Sequence, residues 1–441
     1  MNSTSAVTGY SSRERLGWYF YDWANSSYPL VINTAIFPLY YAAVTTTNGD
    51  KNVTLFGACF LNSALYSYAI ALSFVLVSLI TPLLSGIADY SGKKKLFLRI
   101  FCTIGSIACA SLFFFTGNAL ATGLLSVMLA SIGFSGSLVF YNAFLPEIAP
   151  PDEQDAVSAR GFSMGYAGSS LLLIFCLSLI LKPTLYGITT EGRTDTELFV
   201  LIAPWTFLLV ALWWQGFAQI TFRRLREREG RVIEGNIVTA GFRELRTVWV
   251  ALQSQRTLKL YLAAFFCISM GVQTVILMST FFGEQEIHMA SGELIGVLLL
   301  LQFVAIGGSY FFSWLSKRIG NIPALMAAVV LWICICISAR FITSSAEFYI
   351  LSALVGIVLG GTQSLARSTY SKLLDGIRDT ASYFSFYDIC EKTGIIVGMF
   401  SYGGITDLTG SMRNAIVALV VFFLIGLLLL IRLLPSMRAK A

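Results

Sequence analysis

The residues able to do chemistry in this 441-residue chain are the ionisable ones set into apolar stretches: Asp22, Glu147, Arg160, Arg367, Asp388, Glu391 and Lys392. A charge in hydrocarbon costs about 2.5–3.5 kcal/mol on insertion scales, so each needs a partner, a cavity or a solute. Asp22 and Arg367 suit the two ends of a zwitterion: the guanidinium is a planar donor fork for a carboxylate, and the aspartate accepts from an ammonium group. The same two side chains also suit a salt bridge that closes a gate, and residue types leave both readings open. Asp388 and Lys392 stand four apart and pair along one helix face, which leaves Glu391 to find another partner such as Arg160 or Lys93. Carboxylates held away from water are the natural carriers of a coupled proton, and Asp22, Glu147 and Glu391 are the ones to test.

Tyr19, Phe20, Tyr21, Trp23 and Tyr28 surround Asp22, as a box for a cationic or apolar group or, more commonly, as an interfacial belt. Asn25, Asn33, Asn142, Gln273, Gln302 and Gln363 offer hydrogen bonds to a solute or between helices, at about 1 kcal/mol or less apiece. Other chemistries lack their residues. His288 is the only histidine, no GxxxxGK[ST] phosphate loop occurs, and the cysteines (Cys59, Cys102, Cys109, Cys176, Cys267, Cys334, Cys336, Cys390) contain no CxxC pair and lie mostly in apolar runs. An ATP-driven pump, a membrane hydrolase, a metal centre and a cofactor are therefore not expected.

These side chains must be positioned by elements whose solvent is lipid. With 56% hydrophobic residues, 12% charged residues and a mean hydropathy of +0.74, the chain has too little polar surface for a water-soluble globule of this size. A bilayer core of roughly 30 Å takes about 20 helical residues. Twelve such runs are predicted, near 17–44, 58–84, 96–116, 119–146, 161–181 and 198–220, then 258–282, 293–315, 322–340, 346–373, 383–405 and 415–434. Arg13, Glu14 and Arg15 lead straight into the first run, which is too long and too aromatic for a signal peptide.

Basic residues gather on one side: Arg13 and Arg15; Lys93, Lys94, Lys95 and Arg99; Arg223, Arg224, Arg226, Arg228, Arg231, Arg243, Arg246, Arg256 and Lys259; Arg432, Arg438 and Lys440. The other side holds Lys51, Lys182, Arg193, Arg340 and Arg413. That asymmetry predicts a multi-pass protein of a bacterial cytoplasmic membrane with both termini in the cytoplasm, and the net charge of +6 is an orientation signal rather than a nucleic-acid footprint.

Residues 221–257 form the one long connection on the basic side, dividing a six-helix half, 1–220, from a second, 258–441. Within it Phe242, Leu245, Val248, Trp249 and Leu252 recur at helical spacing among Arg243, Arg246 and Gln253. The pattern reads as an amphipathic helix on the membrane surface or as a solvated basic linker. Overlaying the halves superposes Gly92 of Gly86-Ile-Ala-Asp-Tyr-Ser-Gly-Lys-Lys-Lys95 on Gly320 of Trp314-Leu-Ser-Lys-Arg-Ile-Gly-Asn-Ile, and the same offset brings Leu145-Pro146-Glu147 onto Leu373-Leu374-Asp375. Parallel duplicated halves of this kind belong to the major facilitator plan, with the site at the midplane between them.

Gly86 to Lys95 resembles the loop motif of that superfamily: Gly86 at a helix end, Asp89 three residues on, Gly92 for a tight turn, then Lys93 and its neighbours. By resemblance Asp89 faces the start of helix 11 and holds the cytoplasmic gate shut. Gly17-Trp-Tyr-Phe-Tyr-Asp-Trp-Ala-Asn-Ser-Ser-Tyr28, Asn142-Ala-Phe-Leu-Pro-Glu-Ile-Ala149, Ser158-Ala-Arg-Gly-Phe-Ser-Met-Gly-Tyr-Ala-Gly168, Gly271-Val-Gln-Thr-Val-Ile276, Gly360–Thr369 and Ser382–Lys392 together resemble the vacuole-effluxer-like, or unknown-major-facilitator, family, which includes the fungal vacuolar amino-acid effluxer. The resemblance implies helices 1, 4, 7 and 10 lining a central path. With the charged and polar residues read above, this gives Asp22, Asn25, Tyr21, Trp23, Asn142, Gln273, Gln363 and Arg367 as the binding or gating candidates, and Glu147, Arg160, Asp388, Glu391 and Lys392 as the coupling candidates. Many family members carry an acid just before the glycine of the Val-Gln-Thr-Val string. This chain has Met270 there, so no coupling role carries over to that position.

The expected function is secondary transport of a small solute by alternating access, with amino acids or similar zwitterions first and a lipid-like or other amphipathic solute as the alternative. Export and uptake are equally open. Expected partners are the solute, protons as coupling ion and membrane lipid, with a monomeric protein and no nucleic acid. A channel or receptor is the rival class, since it too needs many helices with polar interior residues. Gly161-x-x-x-Gly165, Gly356-x-x-x-Gly360 and Gly394-x-x-x-Gly398 foreshadow close helix packing.

Overall fold

The structure is a computed structural model that describes residues 10–46, 49–227 and 237–438. Of the basic residues that orient the chain, Arg228, Arg231 and Lys440 lie outside the described residues. The first crossing, α1, is in three pieces: Ser12–Asn25, a π-helical stretch Tyr28–Ile36 and Phe37–Thr45. Pro29 and Pro38 cannot donate to the helical ladder, and the Thr34 hydroxyl bonds the Pro29 carbonyl at 2.9 Å, so the wider turn sits where the ordinary i→i−4 pattern is interrupted.

A short hairpin follows, β1 Asn52–Leu55 against β2 Ala58–Leu61. The predicted second span starts at 58, yet residues 58–61 are extended. Phe56 and Gly57 at the turn both have positive φ, which suits a two-residue primed turn and postpones the helix to Asn62. Then come α2 Asn62–Ser91, α3 Lys94–Ser111, α4 Leu120–Ala143, α5 Gln154–Leu181 and α6 Asp195–Arg224. A linker helix, Ile237–Ser254, precedes α7 Arg256–Gln285, α8 Ser291–Ile319, α9 Asn321–Ser338, α10 Ser345–Leu373 and α11 Thr380–Thr409. The last, α12, is Met412–Ala418 continued by Val420–Arg438.

Among the described residues, 10 helices are long and apolar enough to cross a bilayer: α2 to α10 and α12. The other two differ for local reasons. α1 is divided by its π segment, and α11 carries Asp388, Glu391 and Lys392 near its middle. Together they are consistent with twelve crossings. Large apolar side chains such as Leu79, Ile107 and Phe400 point outward, as lipid solvation allows.

Packing repeats between the two sets of six. α1 lies on α5 and α6 as α7 lies on α11 and α12; α2 pairs with α4 as α8 with α10; α3 touches α4 and α6 as α9 touches α10 and α12. Two seams join the sets, α2 and α4 against α11, and α5 against α8 and α10. The arrangement is that of a major facilitator protein.

Candidate functional site

The end of the bundle where α1 begins, called here the basic end, is where the ionisable side chains meet. Asp22 lies ten residues into α1 and Arg367 six residues from the end of α10, which at 1.5 Å per residue puts them about 15 and 9 Å inside. Both are buried, with 4% and 3% of their surface exposed. Nη1 and Nη2 of Arg367 each donate to Asp22 Oδ2 at 3.3 Å, and the Tyr141 hydroxyl donates to the same oxygen at 2.6 Å. The guanidinium also donates through Nε to Ser158 Oγ (3.0 Å), through Nη2 to the Ser158 carbonyl (2.9 Å) and through Nη1 to Asn142 Oδ1 (3.4 Å). All five N–H groups of the arginine thus have acceptors. Its carbon stands 4.0 Å from the Phe162 ring centre and 4.6 Å from that of Trp18, so the cation is also held by ring faces.

Gly161 of α5 makes room for this arrangement. A Cβ there would stand 2.5 Å from Asp22 Oδ2 and 2.7 Å from the Trp18 ring. Three of the aromatic residues beside Asp22 pack against other rings of the bundle. Tyr21 is fully buried against Tyr141, Tyr28 stacks on Trp214, and Trp23 stacks on Trp213.

Nearer the basic surface, each seam has its own buried carboxylate. In the first, Gly92 ends α2 at φ 73°, and the Lys93 amide bonds back to the Ala88 carbonyl, which turns the chain into α3. Asp89 then accepts from the backbone amides of Ala381 (3.2 Å) and Ser382 (2.7 Å) at the N-terminus of α11, where the helix dipole favours an anion. The lysine that joins it is Lys94. Its ammonium stands 3.2 Å from Asp89, 2.7 Å from Glu147 and 2.6 Å from the Thr380 hydroxyl, whereas Lys93 is exposed. Glu147 is therefore part of this cluster.

The second seam holds a group that sequence reading missed. Asp155, in the first turn of α5, accepts from Lys372 (2.7 Å) and Ser316 (2.8 Å) on one oxygen and from Asn321 (2.7 Å) on the other. It joins α5 to the ends of α8 and α10 and the start of α9, across from Asp89. The internal repeat was the signal available, since it sets the loop between α8 and α9 opposite α5 just as the loop between α2 and α3 is opposite α11.

On α11, Lys392 stands 3.6 Å from Asp388, the expected i,i+4 pair, and 3.8 Å from Glu391, with its ammonium 5.5 Å from the Phe74 ring centre on α2. The partner of Glu391 is neither Arg160 nor Lys93. Gln273 of α7 donates to it at 2.7 Å, because Glu391 projects toward α7 while Arg160 is exposed at the start of α5. The second oxygen of Asp388 is buried with no hydrogen-bond partner among the described residues. Gln363 accepts from Tyr166 across the α5–α10 contact (2.6 Å), and Asn25 is buried beside Ser26.

The fold that encloses this charge pair is matched by the comparisons with known proteins. The model of the family described as "Vacuole effluxer Atg22 like" matches residues 10–441. The chain belongs to that family. An uncharacterized MFS-type transporter of Bacillus subtilis, YxiO, is 32% identical over 95% of this chain and 94% of its own length. Autophagy-related protein 22 of Eremothecium gossypii is 23% identical, covering 93% of this chain and 89% of the relative. Among solved structures, the major facilitator transporter FucP superposes with a TM-score of 0.67 at 15% identity over 96% of this chain and 98% of its own. The human organic anion transporter MFSD10 gives 0.64 at 15%, over 95% and 98%. These structures establish the fold, and the chain is a multi-pass membrane protein of a transporter family.

For a member of the vacuole effluxer-like family, the departure at Met270 has a clear setting. Its backbone lies against Gly394 and Gly398 of α11, where a Cβ would come within 3.3 Å and 2.8 Å. Here the ionisable group at the α7–α11 contact stands on α11, as Glu391, with Gln273 of α7 bonded to it.

Proposed function

We propose that the chain carries amino acids or similarly small zwitterions by alternating access, with its basic end in the cytoplasm and the Asp22–Arg367 pair as the gate at that end. The observation that carries this reading is the enclosure of that pair, which ties α1 to α10 and leaves no arginine N–H unused. When α1 and α10 part, a carboxylate and a guanidinium lose each other together. A solute with one ammonium and one carboxylate replaces both partners at once, whereas an apolar or singly charged solute leaves one of them bare. The pair therefore works as a gate in the closed form and as a recognition element in the open one. Asp388, Glu391 and Lys392 together hold one uncompensated negative charge, and coupling to protons is assigned to them.

The test is a counterflow screen in proteoliposomes preloaded with unlabelled amino acids, dipeptides, sugars or lysolipids. Transient accumulation of a labelled amino acid is the expected result. Accumulation of lysolipids alone would remove the zwitterion assignment, and linear entry with neither saturation nor counterflow would favour a channel.

The buried carboxylates of the two seams serve as latches in this scheme. A hydrogen bond to a charged group contributes about 1.5–3 kcal/mol, so losing the charge at Asp89 moves the closed–open balance by roughly tenfold or more toward the form open at the basic end. Asp89→Asn and Asp155→Asn are each expected to lengthen the distance between spin labels at Lys93 and Arg378, two exposed positions on opposite sides of the first seam. An unchanged distance in both variants would show that the carboxylates only anchor their loops.

A further inference from the structure

The linker helix Ile237–Ser254 presents three distinct surfaces. Ala240, Gly241, Glu244, Val248 and Leu252 are buried and follow helical spacing along one stripe. This stripe lies on α2 at backbone distance: a Cβ on Gly86 would stand 2.5 Å from the Gly241 carbonyl oxygen, and one on Gly241 would stand 2.5 Å from Ile87. The Trp249 ring meanwhile packs on Phe386 of α11, with centroids 5.5 Å apart. The helix thus spans the α2–α11 seam, beside the Asp89 contact with the start of α11.

Next to the buried stripe, helical spacing puts Phe242, Leu245 and Trp249 on one edge, and Phe242 and Trp249 remain 57% and 48% exposed. Farther round stand Arg243 and Arg246, both exposed. The helix has a single acid, Glu244, and it is turned into the bundle. An aromatic edge beside one whose charged residues are both arginine, at the end of the bundle richest in lysine and arginine, matches the boundary between acyl chains and anionic headgroups.

We propose that the linker helix is a binding surface for anionic phospholipid, with Arg243 and Arg246 on the headgroups and Phe242 and Trp249 seated in the acyl boundary, and that lipid bound there clamps the α2–α11 seam closed. The clamp follows from the contacts: a helix fixed to the membrane surface while packed on both α2 and α11 opposes their separation. This second half rests on reading the seam as a gate, whereas lipid binding stands apart from any transport activity.

The test uses the full chain. In detergent, phosphatidylglycerol is expected to raise the thermal midpoint of the wild type, and phosphatidylcholine is expected to leave it unchanged. Arg243→Gln/Arg246→Gln should abolish the shift, while Arg243→Lys/Arg246→Lys, which keeps the charge, should retain it. In vesicles, replacing phosphatidylcholine/phosphatidylglycerol by phosphatidylcholine alone should at least double the population with a long Lys93–Arg378 label distance in the wild type and leave the glutamine variant indifferent. Equal phosphatidylglycerol shifts in the wild type and the glutamine variant would overturn the binding surface. A retained shift with a seam distance insensitive to lipid would overturn the clamp.

Discussion

Asp22→Asn is expected to damage the protein more than Arg367→Gln, although the two changes break the same pair. Removing one member of a buried ion pair costs about 3–5 kcal/mol because the other charge is left without compensation. The two survivors differ in their options. A carboxylate stranded beside Tyr141 can neutralise itself by taking up a proton. A guanidinium cannot, and Arg367 would remain a cation enclosed by Trp18, Phe162 and Ser158 with its strongest acceptor gone. Asp22→Asn should therefore show the larger fall in thermal midpoint, and both variants should lose counterflow. The double variant Asp22→Asn/Arg367→Gln, with no bare charge, should recover most of the stability and none of the transport. Recovery of transport in the double variant would mean that the pair only braces the closed form and never meets the solute.

Gly161→Ala should also impair transport, from the addition of one methyl group. The new Cβ would lie 2.5 Å from Asp22 Oδ2, 2.7 Å from Trp18 and 3.0 Å from Arg367 Nη2. Asp22 and Trp18 share a six-helix set with Gly161, so the carboxylate must shift in either form, but only the closed form loses by it: the shift draws Oδ2 off Arg367, whose Nη2 itself stands 3.0 Å from the new Cβ. Overpacking of this kind costs about 1–3 kcal/mol, which disfavours closure roughly five-fold or more, and the initial counterflow rate should fall accordingly. Gly216→Ala is the matching control: it lies in α6 with nothing within 4 Å of its added Cβ, and it should transport like the wild type. Equal rates for the two alanine variants would mean that closure at Asp22 is not part of the cycle.

The sequence carried the elements that hydropathy and local chemistry dictate. The apolar runs gave the helices, and Asp22 and Arg367 were conspicuous because charges in such runs are costly. The Gly86 to Lys95 loop announced its turn through Gly92. What sequence could not show were choices made by tertiary contact. Asp152, Glu153 and Asp155 read alike as a charged connection, but α5 begins at Gln154 and carries Asp155 into the seam while Asp152 stays exposed. Lys93, Lys94 and Lys95 are chemically identical, and only the start of α3 at Lys94 decides which of them reaches Asp89 and Glu147. Glu391 was assigned Arg160 or Lys93 on charge alone, whereas the α7–α11 crossing supplies the Gln273 amide and the cation near it is its own neighbour Lys392. The π segment of α1 was foreshadowed by Pro29 and Pro38, though a hydropathy scan is blind to it.

Parting and closure of the two six-helix sets at the basic end, around Asp22 and Arg367, is the motion that alternating access requires here. It is tested most directly by the distance between spin labels at Asp152 and Lys317, exposed residues flanking the α5–α8 seam, in a protein whose native cysteines have been replaced. Two distance populations are expected in proteoliposomes, the longer one enriched by Gly161→Ala and redistributed when a transported amino acid is added. A single distance, the same in the wild type and in Gly161→Ala and indifferent to any amino acid, would contradict it.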